Sequence, residues 1–252
     1  MQNKYIHLSL TDADHRVKRS YALTLKFKSF IKKIIKYGYF NSLDCSQPEL
    51  SVQEEMPFSL YVVLRHAYYD DPHAGTNGKR RPNGFSYVKT MKNLVDTIGI
   101  SKYAGSVKLI VFYTGSEREL SLDVSMLPIL NSTMDFEIKI VNASSALDSW
   151  LIMLRSIRSS NINDEAFVYF LENDYIHDTH WLDAVADLIN SEADFDYINL
   201  YDHPDRYKLV ANYAKTSLYA TNSRHWIYTP SACASFITSF KQFKIDFKNG
   251  SK

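Results

Sequence analysis

Hydrophobic positions recur along this chain in two periods. Residues 58–64 form an almost continuous apolar run that stops at Arg65-His66. A polar stretch over 68–84 follows, carrying Gly75, Gly78, Gly84, Pro72 and Pro82. Then Phe85, Val88, Met91, Leu94, Val95 and Ile98 return at spacings of three and four, which predicts a helix. Residues 107–113 are apolar again, 136–141 alternate, and 166–171 form a third buried run. Between and after them, Ala146, Trp150, Leu151, Leu154 and Ile157 mark one helix stripe, and Trp181, Leu182, Val185, Leu188 and Ile189 another. A further apolar run covers 195–200.

Strands that alternate with helices predict βαβ units. Runs apolar at every position suit strands covered on both faces, hence a parallel sheet. The expected fold class is therefore α/β: a Rossmann-like, three-layer sandwich around a mainly parallel sheet. Ligands in such sheets bind beyond the carboxyl ends of the strands. That rule singles out 65–66, 114–115, 142–145 and 172–174.

Residues 1–56 read differently. Leu23, Leu25, Phe27, Phe30, Ile31, Ile34 and Ile35 interleave with Lys26, Lys28, Lys32, Lys33 and Lys36, predicting an amphipathic helix with a basic face. Two readings stay open: a surface helix packed on the domain, or peripheral docking of 23–36 on an anionic membrane. With 41–57 as a linker, the expected organisation is an N-terminal extension over 1–56 and a single catalytic domain over 57–252.

Composition narrows the function classes. A hydrophobic share of 45% supplies a full core. A formal net charge of +1 lacks the basic excess of a nucleic-acid binder. The two cysteines, Cys45 and Cys233, have no metal-ligand spacing. No apolar run reaches about 18 residues, and residues 1–10 lack the charged-then-apolar order of a secretion signal, so the expected setting is the cytoplasm.

Candidate chemistry begins where the third run ends, at Glu172-Asn173-Asp174. Two carboxylates two apart in an extended segment face one side, and Mg²⁺ or Mn²⁺ takes carboxylates plus substrate phosphate. Lys79, Arg80 and Arg81 lie in a glycine-containing loop long enough to cover a diphosphate, and arginine matches phosphate bidentately. Residues 142–149 join a strand to a helix, with Ser144 or Ser145 as the cap; Ser145 and Ser149 would lie beside a close-approaching nucleotide. Trp226 is a candidate to stack on a sugar or base. Thr229-Pro230 reads as a helix start. His177 and His180 lack the context of a zinc motif and read as surface residues.

An apolar strand ending in an acid-x-Asp triplet, followed by a tryptophan-bearing helix, resembles the metal-binding motif of GT-A fold glycosyltransferases of the bacterial, family-2-like type. The resemblance covers about 57–240. The triplet here opens with Glu and has Asn in the middle. The resemblance implies transfer of a sugar from a nucleotide-diphosphate donor to a glycan, lipid-linked or small-molecule acceptor, with Mn²⁺ or Mg²⁺ on Asp174. Glu172 would meet the metal or the donor ribose, with Asn173 among the donor-binding residues. His225 would be a late third metal ligand, and Arg65 would lie at the nucleobase. Inverting transfer needs a proton acceptor. Asp202 is the first candidate, Asp205 the second and His203 the third, with His203 also among the donor-binding residues. Two alternatives remain: a nucleotidyltransferase, or a degenerate module that binds a nucleotide-sugar without catalysis.

Overall fold

The computed structural model describes residues 58–68, 81–201, 218–229 and 235–249, together with the backbone of 5–9. Nine strands lie among these residues: β1 Tyr5–Ser9, β2 Leu60–Ala67, β3 Val107–Thr114, β4 Asp135–Val141, β5 Phe167–Glu172, β6 Tyr197–Asn199, β7 Leu218–Ala220, β8 His225–Thr229 and β9 Phe236–Ser239. The helices are α1 Tyr87–Gly99, α2 Glu117–Leu122, α3 Leu127–Leu130, α4 Ala146–Arg158, α5 Trp181–Ile189 and α6 Phe240–Asn249.

All nine strands form one sheet in the order β4-β3-β2-β5-β9-β6-β1-β8-β7. β4, β3, β2 and β5 are mutually parallel. β9 runs against both of its neighbours, and β8 against both of its own. The mainly parallel sheet expected from the apolar runs is present. Its covering layers follow from the period of two along each strand. Leu60, Val62, Leu64, Leu109, Val111 and Tyr169 face one core with Met91 and Leu94 of α1 and Trp181 and Val185 of α5. Val63, Ile110, Phe112, Val168 and Phe170 face the other, with Met153 and Ile157 of α4 and Phe240 and Phe243 of α6.

Local chemistry sets the helix ends. Ser116 and Glu119 form a capping box that starts α2. Ser145 caps α4, its Oγ accepting from the Asp148 amide at 3.1 Å, and Asp148 in turn accepts from the Ser144 amide and hydroxyl. Ser145→Ala should therefore lower unfolding free energy by about 1 kcal/mol in urea titrations. An unchanged midpoint would show that the cap contributes nothing.

Two expectations differ from the structure. β1 lies inside the stretch read as a helical extension, where Ile6 and Leu8 alternate with His7 and Ser9. Through its pairing with β6 and β8 it makes one unit of Met1–Leu10 with Met56–Lys252, and Thr11–Glu55 form a second. Thr229 ends β8, and 230–234, where the expected helix would continue, lie outside the described residues. His177 is buried, while His180 is exposed. The Asn93 side chain donates to the His177 carbonyl and accepts from its amide, so the loop after β5 is fixed to α1. The expected helix over 23–36 and linker over 41–57 lie outside the described residues. Among the described residues no helix is long and apolar enough to cross a membrane.

Candidate functional site at the switch point of the sheet

From β2 the chain steps outward to β3 and β4, then returns to the other side of β2 for β5. The connection reverses between β2 and β5, and in open α/β sheets the ligand crevice opens at the carboxyl ends of such a pair. In register, Arg65 of β2 lies beside Glu172 of β5. The two segments that the sequence marks as strand-end chemistry are therefore neighbours.

Successive side chains leave a strand on opposite faces, and Arg65 and His66 divide accordingly. Arg65 goes to the α4 side. Its Nη2 donates to Glu172 Oε1 at 2.6 Å and its Nη1 to the Ala146 carbonyl at 3.3 Å, with the guanidinium 5.8 Å from the Trp150 ring centre. His66 goes to the α1 side and is 1% exposed. The Asn173 amide donates to its Nδ1 at 2.7 Å, so Nε2 carries the proton and shares it with Asp123 Oδ2 and Ser125 Oγ, each at 3.0 Å. Asp123 also accepts from the Tyr113 hydroxyl and from the Ser125 amide and hydroxyl. Burial alone would raise the Asp123 carboxyl, but the bonds from His66 and Ser125 outweigh it and hold the group below the usual carboxylate range. The Tyr113 phenol is pushed up, first by burial and then by the Asp123 charge. Thr90 Oγ1 donates to the Asn173 carbonyl at 2.7 Å. The middle residue of the triplet is thus held from both its side chain and its backbone.

Asp174 is paired as well. Arg81 Nη1 donates to its Oδ2 at 2.6 Å, and Arg81 Nη2 lies 3.4 Å from the Tyr87 hydroxyl. The guanidinium sits 4.8 Å from the Phe85 ring centre. Burial opposes the charge on Arg81, but the bonds to Asp174 and Tyr87 more than compensate, and its pKa rises. The turn after Arg81 places Gly84 at φ +78, and the Phe85 amide donates to the Pro82 carbonyl. A left-handed residue in that place is the reason for glycine. Lys89 of α1 reaches back to the Gly84 carbonyl at 2.8 Å.

Arg81, Lys89, Glu172, Asp174, Tyr175 and Tyr201 are among the residues lining a cleft of about 670 Å³. Tyr175 and Tyr201 meet edge to face at 5.6 Å. A cleft of this size suits a small molecule with an aromatic and a charged part.

A divalent cation fits this arrangement poorly. Each carboxylate of the triplet already holds a guanidinium. Unit charges about 4 Å apart near a protein surface interact by about 4 kcal/mol, so each arginine opposes a cation on the carboxylate it holds. Among the described residues no three His, Cys, Asp or Glu converge to hold an ion.

Other sequence candidates occupy different positions. His225, at the start of β8, is four strand spacings from β5, about 19 Å at about 4.8 Å per spacing, and cannot complete a metal site with Asp174. Trp226 is wholly buried in the core and has no face open for stacking. Ser149 is buried too, its Oγ 2.9 Å from Thr114 Oγ1 in the contact between α4 and β3, so it does not face a ligand. Ser145 is exposed and acts as a helix cap. Arg80, Asp202, His203 and Asp205 lie outside the described residues. The sequence reading missed Asp123, Ser125 and Tyr113. The signal was present in Ser116-x-x-Glu119 and in the Asp123-x-Ser125 turn, both marks of a helix start and not of a strand-end loop.

No protein-family model matches this sequence, and a search of curated proteins found no match. Among solved structures, similarity extends to a cytidylyltransferase from Leptospira borgpetersenii serovar Hardjo-bovis (strain JB197), at 11% identity and a TM-score of 0.39 over 76% of this chain. The chain spans 64% of the length of that protein. It also extends to mouse xyloside xylosyltransferase 1 in its apo form, at 8% identity and a TM-score of 0.37, over 73% of this chain and 68% of that one.

Proposed function

We propose that this chain is a transferase that binds a nucleotide-sugar at the crevice between β2 and β5 and passes the sugar to an acceptor hydroxyl. The observation that carries the reading is the convergence of Arg81, Lys89, Glu172 and Asp174 on one cleft of about 670 Å³ at the reversal of strand order. The cleft offers aromatic edges at Phe85, Tyr175 and Tyr201 for a base or sugar, and cations for a diphosphate. Transfer is direct displacement with inversion: the bond from the anomeric carbon to the diphosphate breaks as the acceptor oxygen attacks. Asp202 takes the acceptor proton, with Asp205 the second candidate. Charge left on the departing diphosphate is met by the cations Arg81 and Lys89.

The test is a thermal-shift series with UDP, GDP, CDP and their sugar conjugates. A ligand at about 100 times its Kd adds about 2.7 kcal/mol to the native state, which for a chain this size raises Tm by about 5 °C or more. One nucleotide class should do so. A flat response across all of them, with no sugar released from any conjugate, rejects the proposal.

A further inference from the structure

The charge pattern of the cleft carries one step more, resting on the nucleotide reading above. We infer that the cleft holds the diphosphate of its nucleotide without a divalent cation, Arg81 leaving Asp174 to bind the phosphates and Asp174 acting as its partner only while the cleft is empty.

Three observations converge. First, among the described residues cations outnumber carboxylates around the crevice: Arg65, Arg81 and Lys89 against Glu172 and Asp174. Arg65 neutralises Glu172 from the α4 side, where it lies against Trp150, so the cleft itself is left with Arg81 and Lys89 against Asp174. Such a surface attracts an anion, and a cation entering it meets like charge. Second, both arginine–carboxylate contacts are single. Arg81 meets Asp174 through Nη1 alone, and its Nε is buried without a hydrogen-bond partner; Arg65 is in the same condition. A guanidinium binds phosphate best through two parallel N–H donors, and a diphosphate would satisfy the donor that Asp174 leaves unused. Third, Arg81 is held beside the cleft by the Phe85 ring at 4.8 Å and by the Tyr87 hydroxyl, contacts compatible with a shift of its tip from one anion to another.

The proposal reverses the ordinary expectation for an acidic triplet. Were Asp174 a metal ligand, Asp174→Asn would abolish nucleotide binding. As a competitor for Arg81, its removal frees the guanidinium, and Asp174→Asn should bind nucleotide as tightly as the wild type or more tightly.

Calorimetric titration of the full chain with UDP, GDP, CDP and ADP, in EDTA and again in MnCl₂, decides the matter. One nucleotide should bind with affinities that agree within about threefold between the two conditions. Arg81→Gln should weaken binding by about tenfold to a hundredfold, the worth of hydrogen bonds to a charged group. Binding more than about tenfold tighter with Mn²⁺ overturns the proposal and leaves the nucleotide reading standing. So does loss of binding in a folded Asp174→Asn protein. Absence of binding to the wild type in both conditions removes the nucleotide reading and this inference together. The comparison between EDTA and Mn²⁺ needs no variant, so a variant that fails to fold does not shield the proposal.

Discussion

Asp123→Ala is expected to lower the unfolding free energy by about 3–5 kcal/mol, the cost of breaking a buried charged network from one side. Asp123 is 6% exposed and receives the His66 imidazole, the Tyr113 hydroxyl, and the amide and hydroxyl of Ser125. Alanine leaves these donors facing a small void where water has little room, and each unsatisfied buried group costs about 1–3 kcal/mol. Asp123→Asn keeps the shape and loses the charge, so its loss should be smaller. Urea titration at neutral pH measures both. A loss under about 1 kcal/mol for alanine would mean that the network relaxes freely. The effect also extends to the crevice. His66 passes the constraint from Asp123 to Asn173, so a folded Asp123→Asn protein should bind the nucleotide proposed for the cleft more weakly although Asp123 does not line it.

Acidification from about pH 6.5 to about pH 4 is expected to remove about 3 kcal/mol of stability through His177 alone. The ring lies between Tyr169 and Trp181, its Nε2 bonded to the Tyr169 hydroxyl and its Nδ1 buried without a partner. Burial lowers its pKa from 6.5 to about 4. In that window the unfolded chain binds a proton that the folded chain refuses, so stability falls as pH falls. Asp123 acts in the same direction but only lower, once pH passes below the ordinary carboxylate range towards its depressed folded value. The two contributions are therefore separable. His177→Gln retains a partner for the Tyr169 hydroxyl and does not titrate. Urea midpoints taken across the window should fall steeply for the wild type and much less for the variant. Parallel curves would show that His177 is not the group responsible.

The parallel half of the sheet was legible because its strands are buried on both faces, so β2, β3 and β5 announce themselves as unbroken apolar runs. The helix stripes of α1, α4 and α5 were legible for the matching reason, a single buried face. What escaped detection is short or depends on distant partners. β9 has four residues and β1 five, and each gains its stability from strands far away in the chain. At the carboxyl edge of the sheet the strand ends were legible and the partners of their side chains were not. Nothing local in Glu172-Asn173-Asp174 shows that each acid will meet an arginine about 100 positions earlier; sheet register and the turn at 82–85 decide that. Trp226 illustrates the converse: a large aromatic near polar residues is compatible with stacking on a ligand, and only its place in the sheet shows that its area is spent on the core.

The seam of the sheet has a consequence for biosynthesis. β9 is the last of the nine strands to leave the ribosome, yet it stands between β5 and β6 and is hydrogen-bonded to both. Until it emerges, β4-β3-β2-β5 and β6-β1-β8-β7 are two ribbons, each with a bare inner edge. Open edges recruit other chains. A nascent chain stalled before residue 236 would expose both at once, and so would a product cut there by a protease. Such species should be clients of chaperones, found in aggregates, and not partly active intermediates.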